Sequence, residues 1–349
     1  MFSQFLSRLT AYTPGEQPKD KKYIKLNTNE NPYPPCPKIM KKNPNAADFR
    51  LYPDPECTAL KEAMADCFRV PPSFIFMGNG SDEVLAFAFG AFFDSTDGDV
   101  LFPEHTYSFY PVYSRFFNLT FRKITMKGDF SIDFTALAAS REDAGIIFPN
   151  PNAPTGIAVS RSRIRELLEA RRRDRIVIID EAYIDFGGES AVELTAEYEN
   201  LLITGTFSKS RSLAGLRLGY AIGNPKLISA LETVKNSFNS YTIGRFTQEC
   251  GIESLRDIRY FEKCRKAVIK TREKTVKALR SRGWDVLPSC ANFLFAAHPT
   301  LSGEAVYTRL KNEGILVRFF NQPGIDNRVR ISIGTPEEME IFVKTIDRW

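Results

Sequence analysis

The feature of the sequence that most constrains the fold is an alternation of short apolar runs with helical patterns between about residues 60 and 225. Such alternation predicts a mostly parallel sheet flanked by helices, which is an α/β architecture. Several runs are apolar on both faces, as strands in the interior of a parallel sheet are. The predicted strands are Phe74–Met77, Asp99–Phe102, Phe121–Thr125, Gly145–Phe148, Ile176–Ile179, Leu201–Ile203 and Leu218–Ile222.

The pattern changes in the last hundred residues, where strands and helices predict a smaller α+β domain. Thr335, Pro336 and Glu338 form the signature of a capped helix start, so the chain should end in a helix. The predicted elements before it are a strand Phe293–Ala296, a helix Gly303–Asn312, and strands Ile315–Phe319 and Val329–Ile333. We therefore divide the chain into an arm (1–45), a large domain (46–250) and a small domain (251–349), with a proline-rich stretch from Pro32 to Pro37 in the arm.

Composition excludes several classes of protein. The 349 residues are 43% hydrophobic and 26% charged, which is ordinary for a folded globular chain. The longest apolar run, Val84 to Phe93, is about half of the roughly 20 residues that a membrane-spanning helix needs. The first ten residues lack the apolar core of a secretory signal, and the six cysteines form no Cys-x-x-Cys pair. We therefore expect a cytoplasmic protein with reduced thiols and no membrane partner.

Charge and histidine content exclude further classes. The net charge of +5 is concentrated between Arg256 and Arg282, where eleven basic residues accompany apolar residues at helical spacing. We interpret this segment as an amphipathic helix with a solvated basic face, not as a nucleic-acid-binding surface. With only His105 and His298, a histidine-based metal site or a Ser-His-Asp triad is poorly supported, so we predict no metal.

Polar residues follow five of the predicted strands. Because ligands of open α/β sheets bind at the carboxyl ends of the strands, these exits should converge on one crevice. The exits are Gly78–Glu83, Pro103–Tyr107, Asn150–Gly156, Asp180–Tyr183 and Thr206–Lys209, the last followed by Arg217.

Three of these exits suggest specific chemistry. The glycine loop before Ser81 is either a tight turn or an anion site at a helix N-terminus, but Glu83 occupies the third glycine position of a dinucleotide fingerprint. Lys209 is either a surface lysine or a partly desolvated amine suited to forming a Schiff base. Asp180 can cap a helix, bind a metal or keep a pyridine nitrogen protonated.

Taken together and in order, the motifs resemble those of the fold-type-I pyridoxal-phosphate aminotransferases, and within them most the histidinol-phosphate aminotransferases. The resemblance spans nearly the whole chain. It rests on Leu26–Pro32, Tyr52–Pro55, Gly80–Glu83, Asn150–Gly156, Asp180–Tyr183, Ser208–Lys209 with Gly215–Arg217, and Val329–Gly334.

The resemblance implies a role for each residue that contacts the cofactor. Lys209 would bind pyridoxal 5'-phosphate covalently and transfer the substrate proton, with Asp180 on the pyridine nitrogen and Tyr183 on the phenolic oxygen. Tyr107 would stack on the ring; either tyrosine could instead be a half-buried aromatic at a strand end. The cofactor phosphate would be held by Ser208, Arg217, the N–H groups of Ser81, Asp82 and Glu83, and Tyr52 from the second subunit of a homodimer.

The resemblance also implies the substrates. Tyr12, Arg318 and Arg330 would bind the phosphate of L-histidinol phosphate, and Arg330 would bind an α-carboxylate bidentately, although Arg318 could be a surface arginine. The predicted reaction is transamination with 2-oxoglutarate, giving imidazole-acetol phosphate and L-glutamate in histidine biosynthesis. The alternatives are an aromatic amino-acid aminotransferase, a threonine-phosphate decarboxylase and a non-catalytic protein of the same fold.

Two residues depart from the family pattern or have no role in it. Ala153 stands where many relatives have an asparagine that donates to the phenolic oxygen of the cofactor, so we expect Asn152 to replace that donor. The alternative for Asn152 is a turn residue bonded to its own backbone. We interpret His105 as a hydrogen-bonded structural residue in preference to a substrate contact.

Overall fold

The computed structural model describes residues 5, 9–42, 50–140 and 143–349. The predicted boundary between residues 45 and 46 lies outside this part of the chain. The described residues contain no helix that is long and apolar enough to cross a membrane.

A seven-stranded sheet forms the centre of the larger part of the molecule. Its strand order is β2-β8-β7-β6-β5-β3-β4, and only β8 runs antiparallel to its neighbours. This confirms the predicted mostly parallel sheet. The strands are β2 (Ile75–Gly78), β3 (Asp99–Pro103), β4 (Phe121–Ile124), β5 (Asp143–Pro149), β6 (Ile176–Asp180), β7 (Leu201–Thr206) and β8 (Gly219–Gly223).

Helices cover both faces of this sheet, because the side chains of its central strands are apolar in both directions. Every residue of β6, for example, is buried, and consecutive residues such as Ile178 and Ile179 belong to core clusters on opposite faces. The helices of this part are α1 (Pro37–Met40), α2 (Thr58–Phe68), α3 (Ser81–Phe92), α4 (Tyr110–Phe116), α5 (Phe134–Ala139), α6 (Arg161–Ala170), α7 (Pro225–Phe238) and α8 (Arg245–Arg256).

The C-terminal part is built on a four-stranded antiparallel sheet in the order β12-β13-β10-β9. Its strands are β9 (Asp285–Val286), β10 (Phe293–Ala297), β12 (Arg318–Phe319) and β13 (Arg328–Ser332), and its helices are α9 (Ile258–Arg280), α10 (Gly303–Asn312) and α11 (Pro336–Ile346). The capping box at Thr335 and Glu338 is present as predicted. The division into domains stays a prediction.

The arm joins this C-terminal part through a short parallel pairing of β1 (Ile24–Lys25) with β11 (Ile315–Leu316). One strand was predicted over Ile315–Phe319, but the segment divides at Val317. The reason is that β11 pairs with the arm whereas β12 pairs with β13, so the two halves lie in different sheets. The pairing places Leu26 in the C-terminal core and brings the residues after it to the large sheet.

The basic helix α9 is amphipathic as predicted, but one of its arginines does not lie on the solvent face. Arg272 is 5% exposed, and its guanidinium donates to the carbonyl oxygens of Phe186 and Ala291. Arg272 therefore connects the segment after β6 with the strand region before β10.

Candidate active site

A cavity of about 370 Å³ lies at the carboxyl ends of β5, β6 and β7, as predicted for a sheet of this kind. Residues of the arm and of the C-terminal sheet complete it. The predicted site residues that line it are Tyr12, Ser81, Asp82, Tyr107, Asp180, Tyr183, Ser208, Lys209, Arg217, Arg318 and Arg330.

Lys209 follows β7 by three residues and brings a primary amine into the cavity. Its Nζ donates to the carbonyl oxygen of Thr28 at 3.2 Å and lies 5.8 Å from the centroid of the Tyr183 ring. No carboxylate forms an ion pair with this ammonium among the described residues. The amine is thus held by one neutral acceptor and is accessible to a ligand.

Asp180 is the last residue of β6 and is 4% exposed. Its Oδ1 accepts a hydrogen bond from the amide of Ala182 at 3.2 Å, and its Oδ2 accepts a long one from the Tyr110 hydroxyl at 3.4 Å. Burial raises the pKa of Asp180 to about 6. The carboxylate therefore has acceptor capacity for a cationic N–H donor in the cavity.

The N-terminus of α3 supplies backbone N–H groups at another part of the cavity. The residue before the helix, Gly80, has φ 82° and gives no side-chain cap, so the first N–H groups have no capping oxygen. This positive φ strains residues with a side chain and favours glycine, and a Cβ here would also displace the guanidinium of Arg217. Arg217 donates to Asp82 Oδ2 at 2.9 Å and weakly to Ser208 Oγ at 3.5 Å.

Tyr107 lies beside the N-terminus of α3. Its hydroxyl donates to Asp82 Oδ1 at 2.9 Å, so Asp82 joins Tyr107 to Arg217. Burial raises the pKa of Tyr107 well above its usual value, and the phenol is neutral. Its ring packs edge-on against Tyr110, with 5.7 Å between centroids.

Two arginines reach the cavity from adjacent strands of the C-terminal sheet. Arg318 on β12 and Arg330 on β13 are directly opposite each other in the antiparallel register. Arg318 donates to the carbonyl oxygens of Thr13 and Pro14 at 3.4 Å, and Arg330 donates to Asn27 O at 3.0 Å. Within the described residues, neither guanidinium forms an ion pair with a carboxylate.

Tyr12 completes this corner of the cavity from the arm. Its ring lies against Phe109, with 4.3 Å between centroids. The arm carbonyls that accept from Arg318 follow Tyr12 directly in the sequence, so the arm and the two arginines form one unit.

Two predicted cofactor-binding residues of this chain do not line the cavity. The carboxylate of Glu83 accepts from the amide of Asn79 at 2.6 Å and so closes the glycine loop. Asn152 is fully buried, and its amide donates to His105 O at 2.9 Å and to Thr155 Oγ1 at 3.1 Å. Because both amide hydrogens are used, the geometry does not support Asn152 as the replacement donor, and Ala153 lines the cavity in its place.

Tyr52 also lies outside the cavity of its own chain. It is 77% exposed and stacks on Tyr241, with 4.5 Å between ring centroids. Its carbonyl oxygen accepts from Arg245 at 3.2 Å. The same chain therefore does not bring Tyr52 to Lys209.

His105 is packed in a way that differs from the prediction. Its ring lies next to Gly324, where a Cβ would be 3.2 Å from Nε2, and 6.5 Å from the Phe130 ring, measured between centroids. Nδ1 is buried and has no hydrogen-bond partner in the described part of the chain. His105 contributes its backbone carbonyl to Asn152 instead. Its structural role is therefore one of packing and backbone bonding.

Several residues that contact the site are not among the predicted site residues. Tyr110 reaches Asp180 from α4, and Asn29 donates to the Tyr183 hydroxyl at 3.1 Å. Their signal in the sequence was weak, because Tyr110 is one aromatic among several and the motif Leu26–Pro32 is far from the sheet along the chain. Further lining residues from the arm are Gly15, Gln17, Asn27, Thr28 and Glu30.

Comparison with known proteins gives consistent results. The family model described as "Aminotransferase class I and II" matches residues 21–346. The chain is 49% identical to the histidinol-phosphate aminotransferase of Syntrophus aciditrophicus (100% of this chain, 98% of the relative) and 52% identical to that of Brachyspira hyodysenteriae (96% and 94%). The crystal structure of histidinol-phosphate aminotransferase from Sinorhizobium meliloti with pyridoxal-5'-phosphate has the same fold, with TM-score 0.87 and 22% identity over 98% of this chain and 95% of that one.

Proposed function

The chain belongs to the class I and II aminotransferase family, and from that premise we propose that it is a pyridoxal-phosphate-dependent histidinol-phosphate aminotransferase. It transfers the amino group of L-histidinol phosphate to 2-oxoglutarate, producing imidazole-acetol phosphate and L-glutamate. Relatives that are about half identical over nearly their full length carry this name, which supports the assignment.

The residues of the cavity fit the cofactor. A phosphorylated pyridine aldehyde needs an amine for covalent attachment, a carboxylate for its ring nitrogen and an anion site for its phosphate. Lys209, Asp180 and the uncapped N-terminus of α3 with Arg217 match these three needs. When bound, pyridoxal phosphate supplies a carbonyl that accepts the amino group and a ring that withdraws electrons from the reacting carbon.

The protein's own groups orient the reaction and move its proton. Lys209 would hold the cofactor by its amine and, when free of the cofactor, would transfer a proton at the substrate Cα. Asp180 would accept the N–H of the ring nitrogen, and such an ion pair would lower the pKa of a carboxyl that burial alone raises. Tyr183 would donate to the phenolic oxygen, and Tyr107 would pack against the ring.

Arg217 would exchange its partner when the phosphate of the cofactor is bound. Its guanidinium pairs with Asp82, and both side chains are more than 40% exposed. A phosphate at the N-terminus of α3 would be a stronger partner for Arg217, because guanidinium and phosphate match in geometry and charge. Ser208 and the N–H groups of Ser81 to Glu83 would supply the remaining donors.

The observation that carries the substrate assignment is the cross-strand pair Arg318 and Arg330. Like charges directly opposite each other on antiparallel strands are destabilising, and no described carboxylate neutralises them. A phosphate dianion with Tyr12 beside it fits this corner, and the carboxylates of glutamate use the same guanidinium groups in the second half-reaction. An aromatic amino-acid substrate would supply only one carboxylate here.

Half-reaction rates for histidinol phosphate, phenylalanine, tyrosine and histidine with one enzyme preparation test the assignment. We expect histidinol phosphate to be preferred, and Arg318→Gln to reduce its kcat/KM more than that of phenylalanine. A preference of more than tenfold for phenylalanine or tyrosine would contradict the proposal.

We further propose that the enzyme is a homodimer of the cytoplasm. Exposed apolar side chains near Tyr52 provide a surface for a second copy, and patches of this kind mark interaction sites. The surface comprises Leu51, Tyr52, Phe238 and Tyr241, and its side chains are 44% to 79% exposed.

The cysteines support the proposed location in the cytoplasm. All six are free thiols, which is consistent with a reducing compartment.

A further inference from the structure

We propose that Asn29 is a positioning residue for Tyr183: it occupies the acceptor side of the Tyr183 hydroxyl and thereby directs the hydroxyl proton into the cavity. The inference rests on the proposed function, in which Tyr183 serves the phenolic oxygen of the cofactor. It concerns a residue of the arm that lies far from the sheet in sequence.

The contact between the two side chains is direct and buried. Asn29 Nδ2 lies 3.1 Å from the Tyr183 hydroxyl oxygen, and the two residues are 1% and 9% exposed. The backbone of Asn29 has φ 54°, a left-handed conformation that asparagine tolerates better than most residues. Asn292 Nδ2 donates to Asn29 O at 3.0 Å and holds this backbone in place.

Ser332 fixes which end of the Asn29 amide faces Tyr183. The Ser332 hydroxyl accepts from the Asn29 backbone N–H at 2.9 Å and donates its proton to Asn29 Oδ1, also at 2.9 Å. With Oδ1 bound to Ser332, the amide must present its NH₂ group to Tyr183. The orientation therefore follows from the hydrogen-bond network.

The direction of the Tyr183 proton follows from this orientation. An amide NH₂ group can only donate, so the Tyr183 oxygen is the acceptor in this contact. A phenol has one proton, and the side of the hydroxyl that faces Asn29 is closed to it. The proton is then directed to an acceptor in the cavity, which in the loaded enzyme is the ionised phenolic oxygen of the cofactor.

The charged and titratable groups around Tyr183 include two cations, a phenol and a carboxylate. Lys209 Nζ lies 5.8 Å from the ring centroid, and Arg330 and the Tyr110 phenol are close enough to interact electrostatically with Tyr183. Asp180 is the buried carboxylate of the same cavity. None of them accepts a hydrogen bond from Tyr183 within the described residues, so Asn29 is the partner that sets the donor direction.

The test is a pH titration of the visible absorbance of the holoenzyme, followed with Asn29→Asp, Ser332→Ala and Tyr183→Phe. Aspartate keeps the size and tolerates the backbone conformation, but its carboxylate accepts a hydrogen bond from the Tyr183 hydroxyl and so turns this hydroxyl away from the cofactor. Losing that donor removes stabilisation of the ionised phenolic oxygen. We therefore expect Asn29→Asp to raise the pKa read from the absorbance by about one unit.

Two further variants separate this mechanism from a charge effect or a folding defect. Ser332→Ala leaves Asn29 and Tyr183 intact but lets the amide turn over, so we expect a smaller rise in the same pKa. In a Tyr183→Phe background, Asn29→Asp should change the pKa by less than a third of its effect in the parent. Thermal denaturation of each holoenzyme measures folding independently.

The outcomes discriminate between the two proposals. If Asn29→Asp and Ser332→Ala both titrate like the parent, or if Asn29→Asp shifts the pKa equally without the Tyr183 hydroxyl, Asn29 does not act through Tyr183. If the parent protein binds no pyridoxal phosphate and shows no visible band, the proposed function fails before Asn29 is tested.

Discussion

Asp180 illustrates how a functional group can reduce the stability of the protein that carries it. The carboxylate is nearly inaccessible to water, and the described residues offer it only an amide and a long hydroxyl contact. Burial raises its pKa from 3.8 to about 6, so ionisation is unfavourable in the folded, cofactor-free protein. In our proposal, the ring nitrogen of the cofactor would bring a cationic N–H donor to this carboxylate.

From this pKa we expect Asp180→Asn to stabilise the cofactor-free protein at neutral pH while reducing transamination. A carboxyl whose pKa is raised by folding does not reduce stability at a pH below its unfolded-state pKa. It reduces stability by the full amount at a pH above its folded-state pKa. The penalty therefore develops between pH 3.8 and about 6. At pH 7.5 the substitution should increase the free energy of unfolding by about 1 to 3 kcal/mol, and near pH 4 by almost nothing.

Urea denaturation at the two pH values measures this difference. Glu181→Gln is the matched control, since Glu181 is the adjacent buried carboxylate, has a pKa raised to about 7, and binds Ser190 and Ala191 outside the cavity. We expect it to stabilise at pH 7.5 as well but to leave transamination unchanged. Equal stabilities of Asp180→Asn and the parent at pH 7.5 would show that Asp180 is not penalised by burial.

Asn152, the predicted replacement donor, uses both hydrogens of its side-chain amide within the protein. The amide of Asn152 holds the backbone of His105 and the side chain of Thr155, so it stabilises the loop between β5 and α6. We expect Asn152→Ala to cost about 1 to 3 kcal/mol by removing the donor to the His105 carbonyl and the buried partner of the Thr155 hydroxyl. The visible absorbance titration of the holoenzyme should stay that of the parent, whereas Tyr183→Phe should shift it. A shifted titration with unchanged stability would contradict this interpretation.

The N-terminus of α3 is positioned by its contact with β8, where two backbones approach closely. Gly78 and Gly219 are paired in the β2–β8 register, and a Cβ on Gly219 would collide with the backbone of Gly80 and Ser81. The cradle that we assign to the cofactor phosphate thus depends on the absence of a side chain in a neighbouring strand.

Gly219→Ala should displace the first turn of α3 and weaken cofactor binding about tenfold, given the usual cost of overpacking of 1 to 3 kcal/mol. Equilibrium dialysis with pyridoxal phosphate gives the dissociation constant. Gly128→Ala is the control, because a Cβ there meets nothing within 4 Å. If both variants bind the cofactor like the parent, the strand does not set the position of the helix.

Local sequence patterns predicted the elements better than the contacts between them. Strands such as β6 are continuous apolar runs, and the capping box of α11 is formed by residues within four consecutive positions, so both could be predicted. The division of the segment Ile315–Phe319 at Val317 could not be predicted, because it depends on the pairing of Ile315 with Ile24, some 290 residues away. Asn29 contacts Tyr183 across 154 positions of the sequence and is held by Ser332 and Asn292, so its contact could not be predicted from local sequence patterns.

The complete active site combines the arm, both sheets and, in our proposal, a second copy of the chain. Leu26 lies in the C-terminal core, and the residues after it contact Tyr183 and Lys209 of the large part. Asn31 Nδ2, for example, donates to Lys209 O at 2.9 Å. The one predicted site residue with no cavity contact and high exposure is Tyr52, which points to completion by assembly.

Mixing two defective variants tests whether Tyr52 serves the site of a partner subunit. In a hybrid of Lys209→Ala and Tyr52→Phe chains, one of the two sites would receive Lys209 from one chain and Tyr52 from the other. Random re-association of equal amounts should therefore give about a quarter of the parental activity from intact sites, above the activity of either variant alone.

Differently tagged chains and sequential affinity purification establish that hybrids have formed. In the control mixture, Tyr241→Phe replaces Tyr52→Phe, because it keeps the stacked ring beside Tyr52. Because Tyr241→Phe retains Tyr52, its mixture with Lys209→Ala should show no gain over the Tyr241→Phe sites themselves. Hybrids without any gain in the Tyr52→Phe mixture would place the Tyr52 hydroxyl outside the partner's site, and the exposed aromatic surface would then need a different explanation.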